Sequence, residues 1–137
     1  MIAQISGKLA QKQPGEVVID VGGVGYLVFI PLNVFYRLPD LGAPMSLQIH
    51  THVREDALQL FGFHDLAEKQ VFLLLMGVSG IGPKLALNIL SGIPAEELAK
   101  ALRNGDQVRL VSIPGVGKKL AERMIVELKD KFATFTL

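Results

Sequence analysis

The chain has 137 residues, half of them hydrophobic and a fifth charged, which suits one medium domain or two small domains with buried cores. It has no cysteine, which excludes disulfides and thiolate metal sites, and its net charge of +1 does not by itself indicate a nucleic-acid binder. There is no run of about 20 uncharged apolar residues and no signal-peptide pattern, so a cytoplasmic location is expected.

The first 63 residues are predicted to form β-structure. A β-branched run at 16–21, a two-glycine turn and a second apolar run at 24–30 predict a hairpin. Residues 46–53 alternate strictly between apolar and polar side chains, as a strand with one buried face does, and 58–63 form a final strand. Together with the N-terminal segment, these runs favour a five-stranded β-barrel of the oligonucleotide/oligosaccharide-binding type.

The hydrophobic period then changes to that of helices. Helices are predicted at 65–76, 83–90, 95–102, 107–111 and 118–132, and a short helix is one reading of 31–38. Asp65 and Ser112 are cap-type residues, and Pro94 and Pro114 mark helix boundaries. The sequence thus predicts an α+β chain with a barrel domain at 1–63 and a helical domain at 64–137.

The helical half contains an internal repeat with an offset of 35 residues, which relates residues 78–86 to residues 113–121. The pairs of identical residues that it superposes are Gly80 and Gly115, Gly82 and Gly117, Lys84 and Lys119, Leu85 and Leu120, and Ala86 and Ala121.

Each copy has the composition of an anion-binding turn. The glycines permit left-handed backbone angles and close approach of a ligand, and the following helix points its free N–H groups at the turn. The apolar residue between the glycines, Ile81 or Val116, would anchor the turn in the core, and a nearby lysine would attract phosphate. This is the helix–hairpin–helix pattern. Two copies side by side would hold phosphates on both strands of a duplex, giving sequence-independent, salt-sensitive binding.

Other readings of these residues remain open. The two turns could serve only packing in a structural interaction module, and some helix–hairpin–helix proteins are nucleases or glycosylases, for which Asp130 is the candidate acid. A P-loop is excluded because Ser112 and Lys119 stand where it needs glycine and Ser/Thr. His50 and His52 share a strand face without an evident third ligand, so neither a metal nor another cofactor is expected. Three phenylalanines, at 61, 63 and 72, are expected in the core.

The order of a small barrel, a charged triplet and two helix–hairpin–helix motifs resembles the RuvA family of Holliday-junction-recognition subunits, over the whole chain. The segments that carry the resemblance are Gly22-Gly23-Val24-Gly25-Tyr26, Val53-Arg54-Glu55-Asp56-Ala57, Gly62-Phe63, Gly82-Pro83-Lys84-Leu85-Ala86-Leu87 and Pro114-Gly115-Val116-Gly117-Lys118-Lys119.

The resemblance implies a non-catalytic protein that binds four-way junction DNA in recombination and repair. It implies a homotetramer, two of which can enclose a junction as an octamer, together with a hexameric ATP-driven motor, RuvB, and a resolvase, RuvC. It places an acidic pin at Glu55 and Asp56. The DNA-contacting residues that it implies are Ser79, Gly80, Gly82, Lys84, Gly115, Gly117, Lys118, Lys119 and Arg123.

The chain departs from the family pattern in three places. The first strand, Ala3–Gly7, lacks the family's two arginines, for which Lys8 is a partial substitute, and Leu120 stands where threonine is common. The family's linker and third domain, which contacts the motor, do not follow residue 137. We expect that this domain has been truncated, and that the chain binds junctions without coupling to the motor.

Overall fold

The computed structural model describes residues 1–134 and divides the chain into two compact units, Met1–Lys69 and the residues from Gln70 onward. The sequence predicted a boundary after residue 63, whereas this division falls inside a helix. No helix in the described part of the chain has both the length and the apolar character needed to cross a bilayer.

The first unit is a closed five-stranded barrel, as predicted. Its strands are β1 (Gln4–Gln13), β2 (Glu16–Val21), β3 (Val24–Phe29), β4 (Pro44–Arg54) and β5 (Ala57–Phe63), and their order around the barrel is β1-β2-β3-β5-β4. Neighbouring strands are antiparallel except β3 and β5, which pair in parallel. The short helix α1 (Leu32–Phe35) lies between β3 and β4.

The first strand closes the barrel because it pairs on both sides. Its first half pairs with β4, its second half pairs with β2, and the register shifts between Leu9 and Gln11 where the two halves meet. Such a bulge bends the strand and increases its twist, which closure requires. Apolar side chains that alternate along the strands fill the interior: Ile5, Leu9, Val17, Ile19, Val28, Leu47, Ile49 and Leu60.

The remaining helices also match the predictions to within two residues. They are α2 (Leu66–Met76), α3 (Pro83–Gly92), α4 (Ala95–Asn104), α5 (Gln107–Val111) and α6 (Lys118–Ala133), with α4 and α5 packed on α6. Asp65 caps α2, since its Oδ1 accepts the Glu68 N–H at 2.8 Å. The other predicted cap residue, Ser112, lies at the C-terminal end of α5, and Asp106 caps the start of that helix.

The second unit has its own apolar core. Its fully buried side chains include Leu98 and Leu102 of α4, Met124 and Phe132 of α6, and Leu110 of α5. The phenylalanines at 61, 63 and 72 are buried as well, which confirms the prediction that they pack in a core rather than offer stacking surfaces.

Candidate nucleic-acid interface

The repeat in the sequence is also a repeat in backbone geometry. Gly80 and Gly115 have left-handed φ angles of 93° and 90°. Two residues later the helix caps Gly82 and Gly117 are extended, with φ/ψ of −93°/−177° and −91°/179°. The turns are closed by equivalent hydrogen bonds of 3.0 Å, from the N–H of residue 81 to the carbonyl of residue 78 and from 116 to 113. The two hairpins are therefore structural equivalents.

Each hairpin is anchored by the apolar residue between its glycines. Ile81 and Val116 are both only 5% exposed, which confirms the prediction that they anchor the turns in the core. Ala86 and Ala121, one turn into the following helices, are fully buried, so their small side chains lie inside the packed core. The tips of the hairpins are thus held from within while their outer surfaces stay in solvent.

The two glycines of each hairpin are needed for different reasons. Gly80 and Gly115 have backbone angles that side-chain-bearing residues rarely adopt. Gly82 and Gly117 have ordinary extended angles, and a Cβ built on either meets nothing within 4 Å. Neither conformation nor internal crowding requires glycine at those two positions. What glycine provides there is an uncovered backbone, open to a ligand approaching from outside the chain.

The N-termini of α3 and α6 are electropositive. Neither helix has a side-chain cap or an acidic residue in its first turn, so the free N–H groups of the first turn and the positive end of each helix dipole face outward; in α3 these groups begin at Lys84, because Pro83 has no N–H. Lys84, Lys118 and Lys119 lie in these first turns, and all three are exposed. The combination of free N–H groups, dipole and lysine suits a phosphate group.

Contacts between the two motifs bring the hairpins onto one surface of the second unit. Arg123 of α6 donates a hydrogen bond from Nη1 to the Ser79 carbonyl at 2.9 Å. The second hairpin also lies close to the first motif, since a Cβ built on Gly115 would be 3.2 Å from Cδ1 of Leu85 in α3. All nine predicted DNA-contacting residues lie in this unit and are exposed. The second hairpin and α6 thus lie against the first.

A polar network at the base of the second hairpin escaped the sequence analysis. Arg109 binds Glu97 of α4 through Nη2 at 2.7 Å and the Ser112 hydroxyl through Nη1 at 3.2 Å, and that hydroxyl donates to the Arg109 carbonyl. The N-cap Asp106 also holds the Arg109 amide. The three-residue spacing of Asp106 and Arg109 is a sequence signal for an N-cap. No sequence signal indicates the contact between Arg109 and Glu97.

The predicted acidic pin is the two-residue turn of the β4–β5 hairpin in the first unit. Glu55 and Asp56 are exposed, and the strands pair up to Arg54 and Ala57 on either side of them. Neither carboxylate has an ion-pair partner within residues 1–134. Val53 and Leu58 are paired one position before the end of the strands, on the side of the hairpin that further along faces the barrel interior. Each of these two side chains is 62% exposed. The tip therefore extends past the barrel core and presents two uncompensated negative charges.

The histidines of β4 are packed side chains. The rings of His50 and His52 lie 6.1 Å apart, and that of His52 meets Phe61 edge-on at 6.3 Å. Burial, His52 and Lys69, in that order, lower the pKa of His50. In the part of the chain that the structure describes, no group of three or more histidine or acidic residues is arranged to hold a metal. Asp130, the candidate acid of the enzymatic reading, is exposed on α6.

The first strand begins with a polar but uncharged stretch, Gln4 to Gly7. Ser46 of β4 bonds both Gln4 and Ser6, at 3.1 and 3.0 Å. Lys8 lies two residues further along and is exposed, whereas Leu120 on α6 is half-buried.

Comparisons with known proteins cover both units. The family described as "RuvA N terminal domain" matches residues 1–62, and the "SAM-like Helix-hairpin-helix tandem" matches residues 72–130. Three curated relatives are named "Holliday junction branch migration complex subunit RuvA". That of Geobacter sulfurreducens is 59% identical over 96% of this chain and 66% of its own length. The relatives from Syntrophobacter fumaroxidans and Solibacter usitatus are 53% and 52% identical, over 97% and 99% of this chain and 68% and 69% of their own lengths. The chain spans about two thirds of the length of these relatives.

Proposed function

This chain belongs to the RuvA family, and on that premise we propose that it binds four-way (Holliday) junction DNA by shape rather than sequence. It would act as the non-catalytic recognition subunit of a branch-migration complex in DNA recombination and repair. The observation that carries the proposal is the pair of matched hairpins, each with a second glycine that the fold itself does not require.

The hairpins would hold the DNA arms through the sugar-phosphate backbone. Amides at Gly80, Gly82, Gly115 and Gly117 and the first-turn N–H groups supply donors, and the exposed lysines supply mobile positive charge. The two equivalent sites would each hold a phosphate, one from each of the two strands that border a minor groove. No base contact is needed, so affinity would be independent of sequence and would fall steeply with salt.

The acidic pin would supply the preference for junctions. In a homotetramer, four copies of Glu55 and Asp56 would place eight carboxylates around the centre. A phosphate about 4 Å from a carboxylate costs roughly 1 kcal/mol in bulk water and about 4 kcal/mol at an effective dielectric near 20. A continuous duplex would be repelled there, whereas a junction has an open crossover whose strands part around the pin.

The proposed assembly is the one that the resemblance to the RuvA family implies. A tetramer, or two tetramers enclosing the junction, would present the arms to a hexameric RuvB motor and give the RuvC resolvase access to the crossover. The work would take place in the bacterial cytoplasm, and ATP hydrolysis would belong to the motor.

The test is a gel-shift titration of this chain on a synthetic four-way junction and on linear duplex of equal length, at several salt concentrations. Tight, salt-sensitive junction binding with weak duplex binding is expected. Equal affinity for both would remove the pin from the mechanism, and no binding to either would refute the proposal. Cleavage of DNA with Mg²⁺, or release of a base, would show an enzyme instead.

A further inference from the structure

The head of Arg123 lies directly against the first hairpin. Its Nη1 donates to the Ser79 carbonyl at 2.9 Å, across 44 residues of chain, and lies 3.1 Å from where a Cβ of Gly80 would be. We propose that Arg123 is a positioning residue, which fixes the first hairpin in its phosphate-binding geometry instead of contacting phosphate in its own right. The proposal rests on the proposed function, because its effect on DNA passes through the hairpin.

The contact controls the direction of a proposed phosphate donor. The peptide between Ser79 and Gly80 is trans, as all described peptide bonds are, so its carbonyl and the Gly80 N–H point in opposite directions. Holding the Ser79 oxygen on the guanidinium therefore turns the Gly80 N–H away from Arg123. A planar, permanently charged guanidinium is better suited to fix that peptide plane than a flexible ammonium group.

The repeat places no equivalent arginine beside the second hairpin. An offset of 35 places Asn88 at the position equivalent to Arg123, and Pro114 at the position equivalent to Ser79. The second hairpin is fastened instead by Arg109, through Glu97 and Ser112, and the equivalent of Arg109 is Leu74. Two matched hairpins are thus secured by two unrelated arginines, and Arg123 serves the first.

The first experiment uses the chain without DNA, so it does not depend on the proposed function. Amide hydrogen exchange is measured at Ile81 and Val116, whose N–H groups make equivalent 3.0 Å bonds in the two hairpins. In Arg123→Gln the protection of Ile81 should fall about tenfold while that of Val116 is unchanged. Lys119→Ala, which removes an exposed charge from the same helix, should change neither. No loss at Ile81, or equal loss in both hairpins, would overturn the proposal.

The second experiment measures junction affinity against salt. Arg123→Gln removes the charge and the donor to the Ser79 carbonyl, so its junction Kd should rise about tenfold, and the salt slope should stay unchanged because Arg123 contacts no phosphate. Loss of a phosphate contact, as in Lys119→Ala, should instead lower the slope by about 0.9. Wild-type affinity in Arg123→Gln, or a slope lowered by about 0.9, would overturn the positioning role. If the unmodified chain binds no junction, the proposed function is wrong, but the hydrogen-exchange experiment still tests whether Arg123 positions the first hairpin.

Discussion

Gly117 and Gly115 stand two residues apart, but substitutions at them should have different consequences. Gly115 has φ of +90°, and a Cβ there would crowd Leu85 at 3.2 Å, so any side chain would disturb the hairpin itself. Gly117 is extended and faces open space. Sequence reasoning alone makes Gly115 the natural position at which to block backbone approach to DNA. The structure makes Gly117 the better position for this test, because a side chain there would obstruct a ligand without disturbing the fold of the hairpin.

We expect Gly117→Val to leave the free energy of unfolding within about 1 kcal/mol of wild type, since only the N-cap preference changes. Junction affinity should fall at least tenfold, because the valine side chain occupies the space that a phosphate would need. Urea denaturation and a gel shift on the same preparation measure the two effects. Gly115→Ala is the contrasting control, and it should cost about 1–2 kcal/mol of stability through its left-handed angle. A junction affinity unchanged in Gly117→Val would contradict backbone recognition.

At the scale of elements, the helices were predictable because their signals are local. Apolar residues at helical spacing and prolines at the starts of α3 and α4 fixed their bounds to within two residues. The strand β1 was less predictable, since its length and its bulge depend on pairing with both β2 and β4. The bonds from Arg123 to Ser79 and from Arg109 to Glu97 were not predictable, because tertiary packing alone brings these side chains together.

The equivalence of the two hairpins gives a prediction about their lysines. Lys84 and Lys119 occupy the second position of α3 and α6, and both are exposed. If each attracts one phosphate, Lys84→Ala and Lys119→Ala should each reduce the slope of log K against log salt by about 0.9, and the double variant by about 1.8. Junction binding from 50 to 300 mM salt, titrated in roughly equal logarithmic steps, measures these slopes.

Lys100→Ala is the matched control for the lysine variants. It removes the same charge from an exposed position on α4, outside both hairpins. Its slope should equal that of wild type. A slope reduced by the same amount in all three single variants would show that net charge, and not the hairpins, governs binding.

At the scale of the whole molecule, charge is divided between the two units in opposite senses. The first unit contains five basic and seven acidic side chains, whereas the rest of the chain has nine basic and six acidic side chains and a net charge of +3. The acidic side chains at the tip of the β4–β5 hairpin have no ion-pair partner in the described chain, and the lysines of α3 and α6 flank the hairpins. If the chain binds DNA as proposed, exposed carboxylates would add no affinity, and the acidic tip would instead act against binding of the wrong DNA.

Reversal of the tip charges should therefore change discrimination more than affinity for the junction. In Glu55→Lys/Asp56→Lys, a tetramer would replace eight central negative charges by eight positive ones, and linear duplex would be attracted where it had been repelled. The ratio of duplex Kd to junction Kd should fall at least tenfold, measured by competition between labelled junction and unlabelled duplex. Asp56→Lys should show part of this effect, whereas Asp40→Lys, an equal charge change at an exposed position in the loop between α1 and β4, should show little. If the double variant discriminates as well as wild type, the selectivity for junctions must come from the arrangement of the hairpins, and the acidic turn is only a solvated loop.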